Sequence, residues 1–257
     1  TTLNDLDELE RKLRLNQFRG GTAAVYMEPV GPESGTTPIT VEYVKGVERL
    51  CRKYGALLVF DEVVTGFRIG MAGAQGYFGV SPDLTIFGKV IAGGYPCAGG
   101  IGGKREYMKY LGAGLDSSGK KIHKALVGGT MTANPLSCCA GYFTLEEIER
   151  TNACQKAGQM GDRICAGLKE LVKKHGLPFV VWNTGSICHL ETVGTMHYQI
   201  NWKKPWEIPA ILGETGIRQK EMEHMGAAYM AEGLVTLAGS RLYTSAAYTP
   251  KMIDQAL

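Results

Sequence analysis

Two residues of this sequence have the types and the placing that could do chemistry together, Asp61 and Lys89. Asp61 ends the apolar run Ala56–Phe60, and Lys89 comes just after the run Asp83–Phe87 and Gly88. Short apolar runs of this length read as buried strands. A lysine amine can form a Schiff base with a carbonyl. To do so it must shed its proton, so its pKa must fall from about 10.4 through desolvation or nearby positive charge. A carboxylate close to it wants a cationic partner, and a protonated pyridine nitrogen is one that fits. On spacing alone the plainer reading is favoured, a surface lysine and an aspartate in a strand-end turn.

Other candidate motifs are weaker. Leu57 to Glu62, an apolar stretch ending in Asp-Glu, has the form of a Walker B segment. Its partner would be a GxxxxGK[ST] loop. Gly114 to Lys120 matches most of that pattern, but Lys121 stands where the magnesium-binding hydroxyl belongs. The near-match also comes after the Asp-Glu and follows no apolar strand, so a P-loop nucleotidase is not expected. The seven cysteines contain no CxxC pair, and Cys138 and Cys139 are adjacent, a poor arrangement for a shared tetrahedral metal. Cys51, Cys165 and Cys188 sit in apolar patterns as small core residues. A reducing, cytoplasmic setting without zinc is expected. The five histidines show no ligand spacing.

The elements that must hold Asp61 and Lys89 alternate. A helix runs from an Asn4 cap, with Leu6, Leu9 and Leu13 on one face, acids in its first turn and bases toward its end. Ala23–Met27 reads as a buried strand, and Gly31–Pro38 as a loop. Val41–Tyr54 reads as a helix, with Val44, Val47, Cys51 and Tyr54 inward and Gly55 as its stop. Strands Ala56–Phe60 and Asp83–Phe87 follow. This alternation predicts an α/β fold with a mostly parallel sheet. Ligands bind such sheets at the C-terminal strand ends, and Glu28, Asp61 and Lys89 all fall there. Helices are predicted over Pro135–Arg150, Asn152–His175 and near Gly216–Glu232, with short strands at Phe179–Trp182 and Ile187–Leu190. Gly194–Pro209 reads as an aromatic loop and the rest as a short tail. A boundary near Arg150 divides residues 1–150 from 151–257.

Composition sets limits on function. The chain has 28 Lys plus Arg against 25 Asp plus Glu in 257 residues, too balanced for nucleic-acid binding by bulk charge. Hydrophobic residues make up 44%, enough for a sizeable core, and no apolar run has the roughly 18 residues of a membrane span. The 35 glycines, about twice the usual share, cluster in pairs such as Gly93-Gly94, Gly99-Gly100 and Gly128-Gly129. Such pairs suit turns or close approach to a ligand. Thr1 to Gln17 is polar and amphipathic, unlike a secretory leader. The chain has no initiator Met, which is expected of a processed, truncated or partial sequence.

Taken in order, several segments carry a resemblance. They are Glu28-Pro29-Val30, Leu58 to Arg68 with Asp61-Glu62-Val63 and Thr65-Gly66-Phe67-Arg68, and Gly76 to Leu84. Phe87-Gly88-Lys89 to Pro96 and Gly128-Gly129-Thr130 to Asn134-Pro135 follow. Their succession resembles the class III aminotransferases, pyridoxal phosphate enzymes of fold type I, and within them the glutamate-1-semialdehyde aminomutase branch. The resemblance is strong from about Thr22 to Arg150 and diffuse but collinear to Tyr243–Ala247. It implies a three-layer α/β/α large domain and a smaller α+β domain. The relatives carry an upstream Gly-Ser/Thr phosphate turn and a ring-stacking aromatic residue. The sequence is therefore expected to be the second part of the large domain plus most of the small one.

The resemblance further implies site roles. Lys89 would hold pyridoxal 5'-phosphate as a Schiff base and serve as the general base and acid of a proton shift. Asp61 would keep the pyridine nitrogen protonated, and Val63 would pack on the ring. Gly129 and Thr130 would reach the cofactor phosphate across a homodimer interface. The implied activity is amino transfer between an amino acid or amine and a keto acid, with no part for nucleic acid or membrane. An intramolecular aminomutase or an epimerase shares these residues. A non-catalytic fragment or interaction module is the reading of another class. Glu33 follows Pro32 where relatives carry glycine, and it reads as a solvated loop carboxylate. Arg241 lies near the region that faces the substrate carboxylate in relatives. Its guanidinium has the fork for a bidentate clamp, but the match is gapped there and Arg241 stays outside the implied set.

Overall fold

A computed structural model describes residues 1, 3–30, 38–112, 114–115, 118–126, 128–191, 206, 208–236 and 241–257. The chain forms two compact units, one of Leu3–Gly31 and Thr40–Thr151, the other including Asn152–Leu257.

The first unit opens with helix α1, Leu6–Gln17. Its cap is Asp5, one residue past the predicted Asn4. Asp5 Oδ1 accepts the Glu8 N–H at 2.8 Å, while Asn4 sits in the left-handed region and accepts from the Thr40 N–H. Leu9 and Leu13 are buried, and Leu6 lies over Gly46 of helix α2, Val41–Tyr54. A Cβ at Gly46 would stand 2.3 Å from Leu6 Cδ1, so the α1–α2 contact needs glycine there. Both ends of α2 match expectation. Thr40 Oγ1 accepts the Tyr43 N–H, and Gly55 stops the helix at φ 68°.

Strands β1 (Ala24–Met27), β2 (Leu57–Asp61) and β3 (Leu84–Phe87) form a parallel sheet in that order. Helix α3, Gly73–Phe78, lies between β2 and β3 in sequence. A fourth strand, β4 (Gly100–Gly103), adds antiparallel to β3. Turn chemistry was the expectation for these glycines. The strand forms because β3 presses close: a Cβ at Gly103 would stand 2.5 Å from the Asp83 carbonyl oxygen. β1 is less buried than expected, alternating between exposed and half-buried, because it is the outermost strand of the described sheet.

One buried acid ties these layers together. Asp83, 1% exposed, accepts from Arg52 of α2 (2.6 and 2.8 Å), from Lys104 (2.6 Å) and from the Leu58 N–H of β2 (2.8 Å). Burial alone would raise its pKa. Lys104, the Leu58 N–H and Arg52 outweigh burial and hold the carboxyl below its ordinary value. Lys104 leads into the short helix α4, Arg105–Met108. Helix α5, Pro135–Thr151, closes the unit.

The second unit holds helix α6 (Ala153–His175) and strands β5 (Val180–Thr184) and β6 (Ile187–Glu191). Helix α7 (Ile208–Ala231), strand β7 (Arg241–Tyr243) and helix α8 (Pro250–Ala256) complete it. Its sheet is antiparallel, in the order β5-β6-β7. β6 is wholly buried, and Trp182 stacks on His189 with ring centroids 4.3 Å apart. Arg163 of α6 bonds both oxygens of Asp254 in α8. The expected tail is thus partly helix, started by a Thr249 cap and Pro250. α7 begins earlier than the sequence suggested. Most of the expected loop Gly194–Pro209, the loop from Gly31 and the residue Glu33 lie outside the described residues.

Candidate active site

The C-terminal ends of β2 and β3 lie side by side. Asp61 is paired in register with Ile86, and the Glu62 N–H donates to the Ile86 carbonyl at 2.8 Å. Lys89 follows three residues past Ile86. A carboxylate and an amine thus end neighbouring parallel strands, the place where such sheets receive ligands.

Asp61 is half-buried and held at both oxygens. Oδ1 accepts the Val63 N–H at 2.9 Å, and Oδ2 accepts the hydroxyl of Tyr26. The register explains the second bond. Tyr26 pairs with Val59, two residues before Asp61, and side chains two apart on a strand share a face. Tyr26 escaped the sequence reading because Ala23–Met27 looked uniformly apolar. The parity of β1 against β2 is the signal that finds it. The bond to Asp61 pushes the Tyr26 phenol up to about 12, since the carboxylate favours the protonated hydroxyl.

Glu62, next in sequence, faces the other way and is 1% exposed. Its carboxylate accepts from Thr65 Oγ1 (3.0 Å), the Ala74 N–H (2.6 Å) and the Gln75 side chain (3.1 Å). It anchors the segment after β2 instead of entering the site.

Lys89 adopts φ +50°, the left-handed region that costs a side chain about 1–3 kcal/mol. It begins a 3-10 turn, Lys89–Ala92, which α5 clamps from behind. A Cβ at Gly93 would stand 2.5 Å from the Ala140 carbonyl group, and one at Gly141 would stand 1.9 Å from the Ile91 oxygen. On the other side Val63 packs against Gly88, its Cγ1 3.3 Å from where a Cβ would stand. Asp61, Val63 and Lys89 are therefore grouped at one sheet end.

Gly129 and Thr130 are exposed in the turn that leads through Asn134 into α5, where the Thr132 N–H donates to the Gly129 carbonyl. Among the described hydrogen bonds none joins them to Asp61 or Lys89. Asn134 caps α5 by accepting the Ser137 N–H, and Ser137 Oγ donates to the Pro96 carbonyl at 2.6 Å. Arg241 begins β7 in the second unit, where it helps line a cavity of about 610 Å³. The Walker-like stretch shows an isolated bridge between Leu115 and Lys121. The described residues contain no cluster of metal ligands.

The donor set suits pyridoxal phosphate. It offers a carboxylate for a ring cation, an amine for an aldehyde, and a branched apolar side chain packed beside the residue that precedes that amine.

A mostly parallel sheet flanked by helices, with a lysine and an aspartate at adjacent strand ends, makes this an α/β protein of the kind that binds ligands at its strand ends, and its structural likeness is to fold type I pyridoxal phosphate enzymes. The aminotransferase class-III family pattern matches residues 3–238, and the chain belongs to that family. It is 34% identical over 260 residues to glutamate-1-semialdehyde 2,1-aminomutase 2 of Brevibacillus brevis, covering 99% of this chain and 54% of that protein. Among solved structures, an omega-transaminase from Sphaerobacter thermophilus superposes with a TM-score of 0.77 at 26% identity, covering 98% of this chain and 53% of the other. A glutamate-1-semialdehyde aminomutase from Pseudomonas aeruginosa PAO1, in complex with PMP, gives 0.76 at 22%, covering 99% and 53%, and speaks for the fold. The chain spans about half the length of these relatives.

Proposed function

We propose that the protein carrying this chain is a pyridoxal-phosphate-dependent aminotransferase, moving an amino group between an amino acid or amine and a keto acid. The supporting observation is that Asp61 ends β2 in register with Ile86 of the neighbouring strand β3, whose chain reaches Lys89 two residues past its end at Phe87. Pyridoxal phosphate, when bound, supplies an aldehyde that takes up an amino group and a ring that withdraws electrons from the adjoining carbon. Lys89 Nζ is the amine for that aldehyde, and later it holds and moves the proton lost from the substrate's amine-bearing carbon. Its turn, wedged between Val63 and α5, fixes where that proton can go. Asp61 keeps its charge toward the ring nitrogen. Val63 walls one face of the ring. Gly129 offers an N–H and Thr130 a hydroxyl, suitable donors to a phosphate dianion, and both are exposed as a turn serving a second subunit would be. The working form is a cytoplasmic homodimer with shared sites. None of the seven cysteines is in a disulfide, and among the described residues no helix is long and apolar enough to cross a membrane.

The test is visible absorbance of the full-length protein loaded with pyridoxal phosphate. Lys89→Ala should abolish the band of the lysine-bound cofactor, and an unchanged spectrum would remove Lys89 from its role. A second reading, an intramolecular aminomutase, is favoured by the name of the Brevibacillus relative. Turnover without any added keto acid would establish it, while strict dependence on an acceptor would establish the transaminase.

A further inference from the structure

Asp61 is an acid whose usefulness depends on staying ionised and staying aimed. A carboxylate oxygen has two lone-pair directions, so each oxygen can take two donors. The Val63 N–H occupies one position on Oδ1 and the Tyr26 hydroxyl one on Oδ2. That leaves room for a third donor while fixing the plane of the group. Val63 is bound into the chain beside Asp61, but Tyr26 reaches across from another strand. Tyr26 is 58% exposed, so burial does not explain its place there. Among the described residues its hydroxyl donates to Asp61 Oδ2.

We propose that Tyr26 is a positioning residue for Asp61, holding its carboxylate in the plane from which it can face the proton on the cofactor's ring nitrogen. The inference rests on the reading of Asp61 as the ring partner. Without the hydroxyl, the carboxylate can turn about its Cβ–Cγ bond, and its free lone pair is held less firmly opposite the ring nitrogen. The proton on that nitrogen then loses part of its partner. The register of β1 on β2 makes this a property of the sheet, set by Tyr26 opposite Val59.

The experiment uses the full-length protein with Tyr26→Phe, Asp61→Asn and the double variant. Pyridoxal phosphate labelled with nitrogen-15 in the ring is the probe. Tyr26→Phe keeps the ring and the exposed site, and circular dichroism should match wild type. The nitrogen signal should move toward the unprotonated position, and the dissociation constant of the cofactor should rise about three- to tenfold, the range of a single hydrogen bond. Added to Asp61→Asn, the same change should have no further effect, since the two act as one unit. If Asp61→Asn weakens cofactor binding while Tyr26→Phe leaves both signal and affinity unchanged, Tyr26 has no positioning role. If Asp61→Asn itself leaves the ring nitrogen untouched, the reading of Asp61 fails, whatever Tyr26 does.

Discussion

Gly73 closes on Glu62. A Cβ at residue 73 would stand 2.0 Å from Glu62 Oε2, and Gly73 has φ +56°. The buried carboxylate can cap the Ala74 and Gln75 N–H groups because this position has no side chain. Gly73→Ala should therefore destabilise twice over, through backbone strain and through a displaced buried acid. About 3 kcal/mol is expected from one strained residue plus one weakened buried bond. Urea denaturation with the slope unchanged checks it. A midpoint equal to wild type would mean that α3 can shift without cost.

Asp83 should govern acid stability. Its folded-state pKa lies below its unfolded value. Its contribution is therefore complete above the ordinary carboxylate range and fades as pH falls through the lower folded value. Asp83→Asn should cost about 2–3 kcal/mol at neutral pH, less than the usual loss for a broken buried pair because Arg52 and Lys104 are partly exposed. The variant's stability should also vary less with pH in the acid limb. Thermal unfolding from pH 2 to 7 measures both, and parallel pH curves would sink the assignment.

Gly141→Ala should disturb the site more than the fold. Its Cβ would meet the Ile91 carbonyl oxygen, which belongs to the turn that presents Lys89. Overpacking of this kind costs about 1–3 kcal/mol. The expected signature is a large loss of the cofactor's visible band with a modest fall in melting temperature. A normal band would show that α5 yields instead of the turn.

The Arg163–Asp254 pair should matter little. Its geometry is bidentate, but both side chains are about half exposed. Arg163→Ala should move the denaturation midpoint only slightly, and less at high salt, because solvent screens an exposed pair. A large midpoint shift that persists at high salt would mean that α8 depends on this pair for docking.

The parts legible in the sequence are those decided locally. α2 is readable to the residue from its apolar spacing and its Gly55 stop, and the strands ending at Asp61 and near Lys89 show as apolar runs between turns. The parts that depend on a neighbour were not legible. β4 is a strand because of what β3 presents to its glycines, a fact absent from the string Gly100–Gly103. Tyr26 meets Asp61 only once β1 and β2 are in register. Gly93 and Gly141 look like any other glycines until α5 is laid on the Lys89 turn. Asp61, Val63 and Lys89 were found through motif order, and the sheet explains why they meet. Gly129 and Thr130 carry no such geometric sign: they are exposed in the turn before α5, and among the described hydrogen bonds none joins them to Asp61 or Lys89.

The backbone at residue 89 has a consequence for evolution. Folding alone would favour glycine there by about 1 kcal/mol, because glycine takes a left-handed φ without penalty. Any drift judged only on how well the chain folds would erase the amine. On the proposed role of Lys89, that position sets robustness against reactivity, and Lys89→Gly should lose the lysine-bound cofactor yet outlast the parent on heating.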